Sequence, residues 1–205
     1  MSLVMNFWFL VVEYGIILMD MTDKIKCIIG LGNPDKKYER TYHNVGSMFI
    51  DYWINKDRTI TKNQKSKNFE YTKTDSLIFI KPLTFMNESG GAVKSALKYF
   101  GFEPGETLVV HDDSDIELGN FKFSFGRGSA GHKGIESIIR NLKTKNFWRL
   151  RIGIRPPKND GPIDAKRRKA AEFVLKKISE TGQKAIEFVF EKALNAYTNK
   201  AASDL

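Results

Sequence analysis

Histidine and cysteine are scarce in this chain of 205 residues: three of the first and one of the second. One cysteine cannot close a disulfide within the chain. That excludes a disulfide-stapled scaffold and suits a reducing compartment. Cys27 lies in the apolar run IKCIIGL and reads as a core residue, not a nucleophile. There is no G-x-S-x-G nucleophile elbow, no internal repeat and no two-histidine spacing typical of a metal site. The glycine-rich GLGNPD (30–35) lacks the third glycine of a dinucleotide fingerprint. Asp35 stands in that place and Pro34 interrupts the turn.

The first twenty residues, MSLVMNFWFLVVEYGIILMD, have no Lys or Arg before their apolar stretch, so they do not read as a signal peptide. Glu13 and the marginal length argue against a membrane span. Met21 opens MTDKIKCIIGLGNP, which reads as an ordinary cytoplasmic start. Residues 1–20 are therefore read as an extension before a domain of 21–205, with a membrane or partner anchor as the competing reading.

What is present is concentrated. His43 sits in TYHNVG, His111 in VVHDDSD and His132 in GSAGHKG. Imidazole exchanges protons near neutrality, and Asn, Asp and Gly build hydrogen-bonded sites on tight turns. The three clusters predict a metal-free or lightly metallated hydrolase site.

Charge is just as uneven. Residues 1–121 hold 14 Lys and Arg against 16 Asp and Glu, whereas 122–205 hold 19 against 8. A basic half predicts a polyanionic partner docking on one side. Arg149, Arg151 and Arg155 lie close together, followed by Lys166, Arg167, Arg168 and Lys169. The bland reading of Arg149 and Arg151 is solvation of a strand's outer face.

Apolar periodicity predicts strands at 25–31, 69–74, 77–81, 107–111, 120–125 and 148–154. It predicts helices at 44–55, 88–100 and 131–142, and near 166–177 and 181–197, with an exposed loop over 56–68. With 41% apolar residues, the chain has enough for one full core. The βα alternation predicts an α/β fold: a single three-layer domain with a twisted mixed β-sheet flanked by helices. Ligands bind such sheets beyond the carboxyl ends of the strands. GLGNPD, MNESGG (86–91) and HDDSD (111–115) all fall after strands.

Taken in order, GLGNP (30–34), Tyr38, HNVG (43–46), KPLTFMNESG (81–90), HDDSD (111–115), GSAGH (128–132) and FWRLRIGI (147–154) closely resemble bacterial-type peptidyl-tRNA hydrolase. The resemblance implies a metal-independent esterase without cofactor, cleaving the bond between a peptide and the terminal ribose of tRNA and so recycling tRNA. It makes His43 the general base and Asp112 the acid that orients it. Asn33 and Asn87 would position substrate and water, and Met86 and Tyr38 would line the peptide channel and the pocket for the tRNA end. His132 and Lys133 are placed on the same substrate-binding side. For tRNA contact the candidates are Arg127, Arg151, Lys133 and the 166–169 cluster, which would meet the acceptor stem through phosphates and shape. A cytoplasmic monomer is expected.

The bottom-up chemistry agrees. Ester hydrolysis needs an activated water, a base with pKa near the working pH and donors for a developing oxyanion. The chain departs from the family pattern at Asp35, Tyr42, Ser114 and Arg155, and most seriously at Lys133, where the family has asparagine. Two rival readings are an inactive family-like RNA-binding protein serving splicing or translation, and an α/β esterase or peptidase for small molecules.

Overall fold

Four short apolar segments set up the centre of the sheet. In the computed structural model, which describes residues 21, 24–56, 63–156 and 173–201, β1 (Cys27–Gly30), β4 (Ile78–Pro82), β5 (Thr107–Glu117) and β7 (Trp148–Arg155) lie parallel. Antiparallel strands β2 (Asn63–Lys65) and β3 (Phe69–Lys73) extend one edge, and β6 (Phe121–Phe125) closes the other. The order is β2-β3-β4-β1-β5-β7-β6.

Side chains alternate across a strand, and here they feed two cores. Ile28, Leu108, Val110 and Ile152 face one way, against Val45, Phe49 and Trp53 of α1 (Val45–Lys56) and Ile186, Val189 and Phe190 of α4 (Glu180–Ala201). Cys27, Ile29, Ile80 and Val109 face the other way, against Val93, Ala96 and Leu97 of α2 (Ser89–Phe100) and Ile135 and Ile138 of α3 (Lys133–Leu142). Helices thus cover both faces, giving the three layers expected. Burial raises the Cys27 thiol to about 12, so it is an inert core group.

Three departures bear on the site. The 107–111 strand runs on to Glu117, so HDDSD lies inside β5 rather than after it. His111, Asp112 and Asp113 are buried there; other elements supply His43 and His132 to Asp112 and Arg151 to Asp113, which hydropathy cannot show. The 56–68 loop contains the exposed edge strand β2; residues 57–62 lie outside the described residues. Of the helix expected near 166–177, residues 166–172, with Lys166, Arg167, Arg168 and Lys169, lie outside the described residues. Of the described remainder, 173–177, Phe173 is helical and the rest is turn, bend and bridge, pairing Lys177 with Thr41. The 1–20 extension also lies outside.

Candidate active site

The first strand ends at Gly30, and the chain returns through two 3-10 turns, Lys36–Tyr38 and Tyr42–Asn44, into α1. Gly46 lets that helix approach closely: a Cβ there would run into Val110 O. This contact brings the Tyr42–Asn44 turn down against the middle of β5. A second element holds it from outside. His43 N donates to Val174 O at 2.8 Å, Ile178 N donates to Arg40 O at 2.9 Å, and Tyr42 stacks on Phe173 at 4.4 Å.

His43 consequently meets Asp112, 69 residues away, with Nδ1 2.9 Å from Oδ1. His132 Nε2 lies 2.9 Å from the same oxygen. His132 also caps α3: its Nδ1 accepts from Gly134 N at 3.1 Å and Ile135 N at 3.3 Å. The third histidine, His111, is buried behind them, donating from Nδ1 to Asp112 O at 2.6 Å, with its ring edge-on to His132 at 4.7 Å. All three histidines therefore gather at one acid.

Burial of Asp112 works to raise its pKa, but His132 and His43 outweigh that and hold the carboxyl well below the usual range. His111 shifts the other way for a base. Burial, reinforced by His132, lowers its proton affinity well below the ordinary value despite Asp112. Asp112 thus stays an anion, and His111 stays a neutral packing and donor group.

The asparagines form a second arm. Asn33 N donates to Asn44 Oδ1 and Asn44 Nδ2 donates to Asn33 O, both at 2.9 Å. Asn33 Oδ1 accepts from Met86 N at 2.9 Å, which ties GLGNP to the Met86–Glu88 turn. Asn33's side-chain NH2 has no hydrogen-bond partner among the described residues, and Asn87 is exposed. Asn44 was not among the candidates; its place in HNVG beside His43 was the available signal. Tyr38 is half-buried on its turn, under Lys37.

A cleft of about 620 Å³ opens beside the histidines, lined by His43, Asp112–Asp115, Ser129–Lys133, Val174 and Leu175. Met86 lies behind α3 and touches its start at Gly134, where a Cβ would overlap Met86 Sδ and crowd Leu31 and His132. Lys133 is exposed and pairs with Glu136.

The arginines do not behave alike. Arg151 donates from Nε to Asp113 Oδ2 at 2.7 Å and remains partly exposed. Asp113 thereby braces the arginine, and its Oδ1 takes Asp115 N. Arg127 is exposed. Arg149 does not solvate an outer face, as its alternation suggested. It is buried, 2% exposed, and donates to Gly128 O in the loop before His132. Burial and neighbouring Arg151 lower its pKa to about 10.

His43, Asp112 and His132 bring three donor atoms within 4.8 Å of one another, a set hidden from sequence spacing. The geometry does not fit a metal. A cation on His132 Nε2 would push the proton to Nδ1, against two backbone N–H groups. What the set does fit is hydrogen bonding, with an imidazole oriented by a carboxylate beside a cleft, able to take a proton from water.

Comparison with known proteins decides the lineage. The family model for peptidyl-tRNA hydrolase matches residues 27–205. This chain belongs to the peptidyl-tRNA hydrolase family. The peptidyl-tRNA hydrolase of Mycoplasma capricolum is 37% identical over 181 residues, covering 85% of this chain and 94% of its own. That of Aquifex aeolicus is 39% identical over 173 residues, covering 83% and 86%. A crystal structure of peptidyl-tRNA hydrolase with N-propanol superposes with a TM-score of 0.74 at 26% identity, covering 89% and 93% of the two chains. The Acinetobacter baumannii enzyme superposes at 0.71 and 26%, covering 88% and 92%. Family membership agrees with the mixed sheet and with the motifs that converge on Asp112. No helix among the described residues is long and apolar enough to cross a membrane.

Proposed function

We propose that this chain hydrolyses the ester joining a peptide to the terminal ribose of tRNA, with His43 as general base and Asp112 as its orienting acid. The observation that carries the proposal is the 2.9 Å contact between His43 Nδ1 and Asp112 Oδ1. It uses one ring nitrogen for orientation and leaves Nε2 for water in the cleft that His43 lines.

Water attacks the ester carbonyl carbon while Nε2 takes its proton. The tetrahedral intermediate then collapses, the bond to the ribose oxygen breaks, and that oxygen leaves with the proton held by His43. Asp112 stabilises the imidazolium in between without taking its proton. General-base assistance of this kind contributes about 10²–10⁴-fold. The amides of Asn33 and Asn87, on the two sides of the Asn33–Met86 hydrogen bond, are suited to hold the acyl oxygen and the peptide backbone. Tyr38 and Met86 complete the substrate side.

The acceptor stem would dock on the positive β6–β7 edge. Lys122 is the register partner of Arg151 there, and Arg127 stands exposed beside them. An A-form stem offers phosphates at its surface and a major groove too deep to read. The chain would act as a monomer in the cytoplasm.

The test is release of label from an N-blocked aminoacyl-tRNA and from a free aminoacyl-tRNA. The expected result is release from the blocked substrate only, reduced about 10²–10⁴-fold in His43→Ala. Equal release by wild type and His43→Ala would remove His43 from the role of base. Binding of tRNA with no release by wild type would instead identify an inactive RNA-binding member.

A further inference from the structure

We infer that His132 is a positioning residue of the active site, locked by the start of α3 into the one tautomer that donates to Asp112, so that the hydrogen-bond chain from His43 ends at that carboxylate. The inference rests on the reading of His43 and Asp112 as base and orienting acid.

The argument starts from donors and acceptors. A neutral imidazole has one nitrogen with a proton and one with a lone pair. Gly134 N and Ile135 N both donate to His132 Nδ1, so Nδ1 carries the lone pair. Nε2 therefore carries the proton, and at 2.9 Å from Asp112 Oδ1 it can only donate. The choice of tautomer is made by two backbone N–H groups, which cannot titrate and do not rotate. A side chain that could otherwise hold its proton on either nitrogen is left with one role.

Two consequences follow for His43. First, Oδ1 of Asp112 receives two N–H groups from opposite partners, so turning the carboxylate would break both bonds. The acid is pinned by His132 as much as by burial. Second, a proton taken up by His43 cannot pass through Asp112 to His132, because Nε2 is already protonated and Nδ1 is blocked. The proton stays on His43 until the departing ribose oxygen removes it. His111 supports the arrangement from behind, with its ring against His132 and its Nδ1 on Asp112 O.

The variants are chosen to separate capping from donation. Asparagine caps helices well, but its shorter amide does not reach Asp112. His132→Asn should therefore fold with a urea midpoint near that of wild type. Its kcat should fall at least about tenfold, as expected for loss of one charge-assisted hydrogen bond, with KM within about twofold. His132→Gln, whose longer amide reaches toward Asp112, should recover part of kcat.

The acid limb of kcat/KM in His132→Asn should also move to higher pH. With one donor removed, Asp112 attracts the His43 proton more strongly. The other ionisable groups near His43 are His132 itself and, along the cleft wall, Asp113, Asp115 and Lys133, and neither variant touches those three. An unchanged kcat and an unmoved pH limb would overturn the inference. A raised KM with normal kcat would overturn it too, making His132 a substrate contact.

Nitrogen-15 NMR of histidine-labelled wild-type protein reads the lock without any substrate. The neutral His132 ring should carry its proton on Nε2. A proton on Nδ1, or a freely exchanging pair of tautomers, would end the claim. If the wild-type enzyme releases nothing from blocked aminoacyl-tRNA, the catalytic reading fails, and the NMR result still decides whether the tautomer is locked.

Discussion

Asn44 holds both backbone polar atoms of Asn33, accepting from its N–H and donating to its carbonyl at 2.9 Å each. The strand end that carries Asn33 is therefore fixed by a side chain from the His43 turn. Asn33 in turn holds Met86 N. The His43 turn and the Met86–Glu88 turn share one hydrogen-bonded frame.

Truncating Asn44 should be costly for that reason. Both residues are buried, so Asn44→Ala leaves a buried N–H and a buried carbonyl without partners. We expect a loss of about 2–5 kcal/mol of stability, read as a lower urea midpoint with an unchanged slope. Asn44→Asp keeps the acceptor and should lose less. Equal stability of Asn44→Ala and wild type would show that the clasp contributes nothing.

Acid lability should follow from His111 and Asp112. The folded state lowers the proton affinity of His111 below its ordinary value of 6.5 and that of Asp112 below 3.8. Below each ordinary value the unfolded chain binds the proton and the folded chain does not. Stability contributed by His111 is therefore complete above about pH 6.5 and declines as pH falls below it; the Asp112 contribution declines only below about 3.8. Between pH 6.5 and 5, His111 alone should cost roughly up to tenfold in the folding equilibrium per pH unit. His111→Asn keeps a donor for Asp112 O and does not titrate, so its urea midpoint should vary less over this range. An identical pH slope for variant and wild type would refute this assignment.

The arginines should reveal themselves through salt. If Arg127 meets a phosphate, Arg127→Ala should raise KM for tRNA substrates and lower the slope of log KM against log salt by about 0.7–0.9. kcat should hold. Arg151→Gln should do the same while also releasing Asp113, so a loss of stability is expected for it alone. An unchanged salt slope in both would place the tRNA elsewhere.

Lys133 makes only a surface pair with Glu136, the two side chains being 69% and 51% exposed. Lys133→Asn should shift stability by less than about 1 kcal/mol and retain or raise kcat/KM on blocked aminoacyl-tRNA. Complete loss of activity would mean that this lysine has acquired an essential contact.

Much of this was legible beforehand. The apolar run in IKCIIGL and the alternation in WRLRIGI locate β1 and β7, and the motif order leads to His43 and Asp112. What escaped has a common cause. HDDSD reads as following its strand because five polar residues resist burial, yet β5 buries three of them, two with hydrogen-bond partners from other elements. Alternation leaves Arg149 open between polyanion contact and outer-face solvation because it is blind to the loop whose Gly128 carbonyl holds the buried guanidinium. The partners of His132, two backbone amides and a distant acid, have no pattern in one dimension.

Gly134 links the two halves of the site. Met86 from the 86–88 turn, Leu31 from the end of the first strand and the His132 ring all crowd the space where its side chain would begin. Adding even one methyl group would push Met86 and Leu31 away from the cap that holds His132 on Asp112. Affinity and turnover would then deteriorate together, so the spacing between recognition and chemistry in this enzyme is kept by a hydrogen atom.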